Sequence, residues 1–228
     1  MGEVLFQEGD IVLPGDTVAK GMDLLPARGT YRDGEEIVAT NIGILKRRDN
    51  IINVIPLFGP YVPRVGDQVI GKVIEVGYSH WVVDIGTPYP AVLLVKDGVS
   101  EYVDLEKVSL DRFYKKGDLI VARILKKEDP TFIRITTRGP GLKKLTGGKI
   151  IEITPYKIPR LIGKEGSMVN MIKNKTNTNI IAGQNGWVWI SGDPLDELKA
   201  AKAIEIIENQ AHTQGLTEKV EKFLGGEK

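Results

Sequence analysis

The loop Gly163-Lys164-Glu165-Gly166 constrains the fold of this chain more than any other feature. It separates two apolar segments with helical spacing, Ile158–Ile162 and a second one that begins near Ser167. Two glycines let the backbone turn sharply and approach a ligand closely. The unpaired N–H groups that begin the second helix carry partial positive charge, which suits a phosphate. A G-x-x-G sequence also occurs by chance as a tight interhelical turn, so its surroundings must decide.

Those surroundings predict a module with the order β-α-α-β-β-α. One strand is predicted over Lys149–Ile153, and two more, Asn179–Ala182 and Trp187–Ser191, flank the turn Gly183-Gln184-Asn185-Gly186. Asp193-Pro194 predicts the start of a longer helix, because aspartate favours the N-cap and proline the first helical position. We expect the following residues to form the buried stripe of that helix: Leu195, Leu198, Ala201, Ile204, Ile207 and Ala211.

The charge distribution is uneven along the chain. The net charge is only +1, but the stretch from Gly141 to Gly183 contains eight basic and two acidic residues, a net charge of +6. The rest of the chain therefore carries −5. A basic cluster is often no more than a solvated face, but this one coincides with the glycine loop and favours a local polyanion site.

Turn signals divide the rest of the chain into two β-rich segments. Residues 1–63 contain short β-branched runs at Glu36–Thr40, Ile42–Leu45 and Ile51–Ile55, which predict a small all-β unit. Residues 64–140 contain five strand-like runs and predict a small closed barrel. The five predicted strands are Gln68–Val76, His80–Ile85, Ala91–Val95, Asp118–Leu125 and Phe132–Thr137.

Catalytic signatures are weak throughout. The chain has no cysteine and two histidines, so neither a Cys/His pair nor a multi-histidine metal site is expected. The run Gly66–Val73 has the glycine and lysine spacing of a P-loop, but Val73 stands where the magnesium-binding hydroxyl should be. A carboxylate pair assembled by the fold stays open as a possible catalytic site.

Because no signal peptide and no apolar run of about 20 residues is present, we expect a soluble, cytoplasmic protein without a membrane partner.

The stretch Ile158–Ile172, followed by Thr176–Ile180, resembles the KH family of RNA-binding domains. In that family the G-x-x-G loop clamps the nucleic-acid backbone. The resemblance implies RNA contacts by Gly163, Lys164 and Gly166, with Arg160 next to the loop. Glu165 departs from the pattern, since a carboxylate inside the loop repels a phosphate.

The barrel segment resembles the oligonucleotide-binding domain of ribosomal protein S1, through Val65–Val73 and Tyr78–Gly86. Members of that family bind RNA with aromatic residues in the second stretch. The resemblance implies that Tyr78 and Trp81 stack bases, with His80 between them. A core position for Trp81 is the alternative. Three basic residues are candidates for contacts to the RNA backbone: Lys72, Arg123 and Arg134.

The order of the three segments resembles archaeal exosome cap subunits of the Rrp4 type. The implied architecture is multidomain: an all-β N-terminal domain (1–63), a five-stranded OB-type barrel of the S1 type (64–140) and an α+β KH domain (144–228). The resemblance implies a non-catalytic subunit without a cofactor. Three copies would cap a hexameric ring of phosphorolytic subunits of the RNase PH type, with the N-terminal domain docked to the ring and RNA as ligand. Two alternatives stay open: a scaffold that leaves RNA to other subunits, and a stand-alone RNA-processing enzyme.

Overall fold

The computed structural model describes residues 2–101, 103–129, 131–211 and 215–225. The chain divides into two compact units, Met1–Gly59 and Pro60–Lys228. Within the described ranges, every helix is too short or too polar to cross a bilayer.

The first unit consists of two four-stranded sheets. One sheet has the strand order β1-β3-β6-β5, with β1 Glu3–Val4, β3 Thr17–Lys20, β5 Thr30–Asp33 and β6 Glu36–Ala39. The other has the order β2-β7-β8-β4, with β2 Ile11–Val12, β4 Leu25–Pro26, β7 Gly43–Arg48 and β8 Ile51–Pro56. Apolar side chains from both sheets, among them Val18, Ile37, Leu45 and Val54, form one buried core. The predicted all-β unit is confirmed.

The second unit begins with a closed five-stranded barrel. Its strands are β9 Gln68–Val76, β10 His80–Asp84, β11 Ala91–Leu94, β12 Leu119–Asp129 and β13 Phe132–Thr136. The strands follow the order β13-β11-β10-β9-β12, and pairing of β12 with β13 closes the barrel. A one-turn helix, α1 (Val95–Gly98), follows β11, and a short strand, β14 (Lys144–Leu145), extends the sheet beside β12. The predicted OB-type barrel is confirmed.

The rest of the second unit has the predicted β-α-α-β-β-α order. Its elements are β15 Lys149–Glu152, α2 Ile158–Ile162, α3 Ser167–Thr176, β16 Asn179–Ala182, β17 Trp187–Ser191 and α4 Pro194–Gln210. A further helix, α5 (Leu216–Gly225), packs against α3 and α4. The sheet order is β15-β17-β16, so β15 and β16 both lie at sheet edges. The multidomain α+β and all-β fold class is confirmed.

The buried stripe of α4 differs from the prediction. The helix buries Ala200, Ala203, Ile204 and Ile207, whereas Leu195 and Leu198 are 74% and 53% exposed. Small side chains at 200 and 203 let α4 approach its neighbours closely, and this packing selects the face that carries them. The prediction is therefore wrong for Leu195 and Leu198, whereas Ala201 packs against the core and Ile204 and Ile207 are buried as expected.

The barrel and the KH module share a seam with its own hydrophobic cluster. Ile70 and Val121 of the barrel pack with Leu142, Leu145 and Trp189. Strand β10 ends at Asp84, so the first residues of β9 have no pairing partner in β10. The turn between β16 and β17 occupies that place, and its backbone N–H at Gln184 donates to the Gln68 carbonyl at 2.8 Å.

Asn185 is the polar centre of this seam. Its side-chain oxygen accepts from the Ile70 N–H at 3.2 Å, and its amide nitrogen donates to the carbonyls of Ile70 (2.8 Å) and Ile85 (2.9 Å). Asn185 is only 4% exposed, and these bonds satisfy backbone groups that would otherwise be buried without partners. The turn fits because Gly183 has no side chain: a Cβ there would lie 2.8 Å from the Ile70 nitrogen.

Candidate nucleic-acid interface

The glycine loop has a backbone that depends on both glycines. Gly163 has φ 73° and ψ 178°, and Gly166 precedes α3 in the left-handed region with φ 81°. A Cβ on Gly163 would lie 2.8 Å from the Met168 backbone nitrogen, so only glycine fits without a shift. Glu165 also takes a left-handed conformation, with φ 53°. Because the side chains of Lys164 and Glu165 are both exposed, the loop presents one cation and one anion to solvent.

Arg160 lies one turn before the loop and also has a structural contact. Its Nε donates to the Ala211 carbonyl at 3.0 Å, which ties α2 to the residue that follows α4. The side chain is exposed. Arg160 therefore helps to fix the position of the loop, whether or not it also meets RNA.

A groove of about 320 Å³ runs beside the loop. Its KH-module side is formed by the end of α2, one face of α3 and strand β16. The residues on this side are Ile162, Val169, Lys173, Ile180, Ile181 and Ala182. An apolar floor with a lysine at its rim suits a planar base with an attached phosphate.

Strand β16 contributes unpaired backbone groups to this groove. Within the described ranges it pairs with β17 alone, and the hydrogen bond from Gly183 N–H to the Trp187 carbonyl fixes which residues face that strand. Antiparallel pairing alternates, so the N–H and C=O groups of Ile180 and Ala182 turn away from β17. An edge with donors and acceptors next to an apolar floor can hydrogen-bond the edge of a base.

The hairpin that joins β9 and β10 carries Tyr78 at its tip. Tyr78 is 71% exposed, and His80 is half-buried with its ring against Gly77. Lys72 lies exposed on β9, with Asp84 and Leu119 as its strand partners. An exposed aromatic ring with an imidazole beside it forms a surface on which a base can stack.

Trp81 lies in the barrel core, so the expectation that it stacks bases is wrong in this structure. Its side chain has no exposed surface, and its indole N–H donates to the Tyr114 carbonyl at 3.0 Å. The rings of Trp81 and Tyr114 meet edge to face with centroids 5.1 Å apart. Side chains alternate along β10, and Trp81 and Val83 point into the core. A core position for Trp81 is the alternative that the sequence left open.

Arg134 forms an ion pair within the chain. Its guanidinium is therefore not a free cation that could contact the RNA backbone. Its Nε donates to Asp97 Oδ2 at 2.7 Å and its Nη2 to Asp97 Oδ1 at 3.2 Å. The hydrogen bond to Asp97 raises the pKa of Arg134 above its ordinary value. This bidentate pair joins β13 to α1.

Arg123 differs from Arg134 because its side chain is exposed. It lies directly opposite Gln68 in the pairing of β12 with β9, so the two side chains share one barrel face. Gln68 lines the groove of the KH module. Arg123 therefore lies beside that groove, whereas Tyr78 follows the far end of the nine-residue strand β9. At about 3.3 Å per residue these two ends are about 26 Å apart, so the candidates form two clusters.

Comparison with known proteins assigns each part of the chain to a domain family. Residues 9–58 match the family described as exosome RNA binding protein RRP4 N-terminal domain. Residues 60–126 match the RRP4 S1 domain, and residues 148–196 match the KH domain. The exosome complex component Rrp4 of Thermococcus kodakarensis is 47% identical over 98% of this chain and 88% of that protein. The chain belongs to the Rrp4 family.

Other members of the Rrp4 family support the same assignment. Exosome complex component Rrp4 of Pyrococcus abyssi is 45% identical over 98% of this chain and 85% of that protein. A crystal structure described as an exosome complex RNA-binding protein is 36% identical, with a TM-score of 0.67 over 73% of this chain and 96% of that one. The S1 and KH assignments inferred from sequence resemblance are confirmed.

The Rrp4-family chain contains features that sequence reasoning missed. The turn Gly183–Gly186 predicts only a hairpin, although its Asn185 fastens the barrel to the KH module. Gln68 and Lys143 come from the barrel side, yet both line the KH groove. A signal for Lys143 existed in the basic stretch from Gly141 onward. In the described ranges no cluster of three or more His, Asp or Glu side chains is arranged to hold a metal ion.

Proposed function

We propose that this chain is a non-catalytic, RNA-binding cap subunit of an archaeal exosome. It would recruit single-stranded RNA to a ring of phosphorolytic subunits of the RNase PH type, with three copies on a hexameric ring. Its membership of the Rrp4 family supports this role, because the relatives are named exosome complex components. The absence of cysteine supports a reducing, cytoplasmic setting.

The observation that carries the proposal is the groove beside the glycine loop. It combines an apolar floor, an open strand edge at β16 and two lysines, Lys143 and Lys173, with the exposed Lys164 in the adjacent loop. RNA recognition by KH domains needs these three elements: a surface for the base, polar groups for its edge and charge for the phosphate. Three copies around one entrance would raise the local RNA concentration without a tight individual site.

The direct test measures binding of a fluorescein-labelled, unstructured RNA of about ten nucleotides to the full chain. Lys164→Ala should weaken binding about fivefold at 0.1 M salt and lower the salt slope by about 0.7, as expected for one phosphate contact to a single strand. Lys202→Ala is the matched control, since it removes the same charge from an exposed site on α4 that lies near β15, at the opposite edge of the KH sheet from β16. Equal binding by both variants would count against an RNA contact at the loop.

A non-catalytic subunit must leave RNA intact. We expect the purified chain to bind the labelled RNA without shortening it, with phosphate and magnesium present. Metal-dependent shortening by the pure chain would favour the enzyme alternative, and systematic Asp→Asn and Glu→Gln substitution would then locate the carboxylates involved.

The N-terminal domain has an outer sheet face that suits docking to the ring. Strand pairing aligns Ile11, Ile44 and Ile55 across β2, β7 and β8, and it aligns Leu25 with Ile51. Directly opposed residues share a face, so these five side chains form two apolar rows. Ile11 and Leu25 are 62% and 50% exposed. Exposed apolar rows on one sheet face mark a protein contact more often than a solvent surface.

The docking proposal is tested by assembly with purified ring subunits. Ile11→Asp combined with Ile55→Asp should abolish co-migration with the ring in gel filtration, because each carboxylate would be buried without a partner. Lys164→Ala should co-migrate normally, and sedimentation should give three chains per hexamer. A ring that binds the double variant as well as the unmodified chain would refute this face as the contact.

A further inference from the structure

The KH groove is closed on one side by the barrel. Besides the KH residues, its walls include Gln68 of β9 and Gly141 and Lys143 of the segment that leaves the barrel. The Lys143 carbonyl accepts from the Val121 N–H at 2.8 Å, and the preceding Leu142 is buried in the seam. The backbone of Lys143 is therefore fixed, and its exposed side chain starts from a defined position at the rim.

Three polar side chains around this groove have no partner within the described part of the chain. The ammonium groups of Lys143 and Lys173 form no ion pair there, although nearby Lys144 and Lys175 pair with Asp118 and Glu221. The Gln68 side-chain amide likewise makes no hydrogen bond, whereas its backbone carbonyl is used by the seam. Unpaired cations on both sides of an apolar floor attract a chain of phosphates more than a neutral ligand.

We propose that the KH groove and the adjoining barrel face form one composite site for single-stranded RNA. Lys143 contacts a phosphate on the barrel side of the groove, opposite Lys173. Gln68 hydrogen-bonds the edge of the base that enters between them, and Arg123, which shares the Gln68 face, meets the next phosphate. This inference rests on the proposed RNA-binding function, and it adds residues that lie outside the KH module.

The seam makes such a site preorganised. Asn185 and the turn around it fix the barrel to the module that carries β16, so the groove walls do not have to be assembled when RNA binds. A preformed site avoids much of the ordering cost of binding. It also fixes the path of the RNA, which runs from the glycine loop along the groove to the barrel face that Gln68 and Arg123 share.

The test uses the full chain and the same ten-nucleotide labelled RNA. Lys143→Ala should bind about fivefold more weakly at 0.1 M salt, and its salt slope should fall by about 0.7. Lys143→Arg should restore most of the affinity because it keeps the charge. Since Lys143 is exposed, urea denaturation should show unchanged stability in both variants. Lys202→Ala again supplies the matched loss of charge.

Photocrosslinking provides a second measurement that a purely structural role would not affect. One 4-thiouridine is placed at each RNA position in turn, and the crosslinked peptides are identified by mass spectrometry. We expect neighbouring positions of one RNA to crosslink to the β16 strand and to the segment 139–145.

The outcomes separate the two claims. If Lys164→Ala weakens binding but Lys143→Ala behaves like Lys202→Ala, with no crosslink to segment 139–145, the composite site is refuted and the RNA-binding function stands. If the unmodified chain binds no RNA, the proposed function fails and the composite site fails with it.

Discussion

Replacement of Asn185 by alanine is the most informative perturbation of the second unit. The substitution removes three hydrogen bonds, of 3.2, 2.8 and 2.9 Å, from a site that is 4% exposed. It leaves the buried Ile70 N–H without a partner, at a cost of about 1–3 kcal/mol. Loss of the packed side chain adds about 1 kcal/mol. We therefore expect Asn185→Ala to lower the free energy of unfolding by about 2–4 kcal/mol.

Urea denaturation measures this loss through tryptophan fluorescence. Trp187 and Trp189 belong to the cluster at the seam, so their emission reports its opening. With a slope of about 2 kcal/mol per molar urea, the midpoint should fall by about 1–2 M. Asn209→Ala, at an exposed position on α4, is the control and should shift stability by less than about 0.5 kcal/mol.

A second substitution separates lost packing from lost hydrogen bonds. Asn185→Asp keeps the size and shape, but an ionised carboxylate cannot donate to the carbonyls of Ile70 and Ile85. We expect it to be at least as destabilising as alanine at neutral pH. If Asn185→Ala and Asn185→Asp both unfold at the midpoint of Asn209→Ala, the seam does not depend on this side chain and the reasoning is refuted.

Four further predictions concern other residues. Trp81→Ala should lower the free energy of unfolding by about 3–5 kcal/mol in urea denaturation, because it leaves a cavity in the barrel core. Tyr78→Ala should leave stability unchanged and weaken RNA binding by about 1–3 kcal/mol in the fluorescence assay. Gly183→Ala should destabilise the seam by more than about 1 kcal/mol, since its Cβ would lie 2.8 Å from the Ile70 nitrogen. Burial and the 2.6 Å hydrogen bond to Asp67 raise the pKa of Tyr61 well above its usual value. Stability from this contact is complete below about pH 10 and is lost as pH rises further. In an ultraviolet titration Tyr61→Phe should therefore leave the absorbance change near about pH 10 unaltered, and loss of one tyrosine's share of that change would contradict this.

Much of the fold could be predicted from local sequence. The bounds of β9, α2, β16 and β17 agree residue for residue with the sequence prediction, because β-branched runs, turn residues and helical spacing act over a few neighbouring positions. The apolar stripe of α4 was predicted less well. Leucine at 195 and 198 is more hydrophobic than alanine at 200 and 203, but the packing partner decides which face of a helix is buried.

The candidate site could be predicted only in part. The glycine loop is local, since two of its three positive φ angles lie at glycines three residues apart. Trp81 and Tyr78 are three residues apart and chemically alike, yet one is buried and the other exposed, which depends on the inward phase of β10 and the closure of the barrel. Arg134 and Arg123 are also chemically alike, yet α1 brings Asp97 beside Arg134, whereas Arg123 is exposed.

The sequence by itself determined the three kinds of unit and their order, because periodicity and turn chemistry are written in consecutive residues. Only the tertiary structure decided how the barrel and the KH module become one body. That union depends on Asn185 bonding Ile70, 115 residues away, and on a glycine that leaves room for the contact. The same packing brings Gln68 and Lys143 to the groove. Which side chains share a groove is set by the path of the whole chain, and no local pattern specifies it.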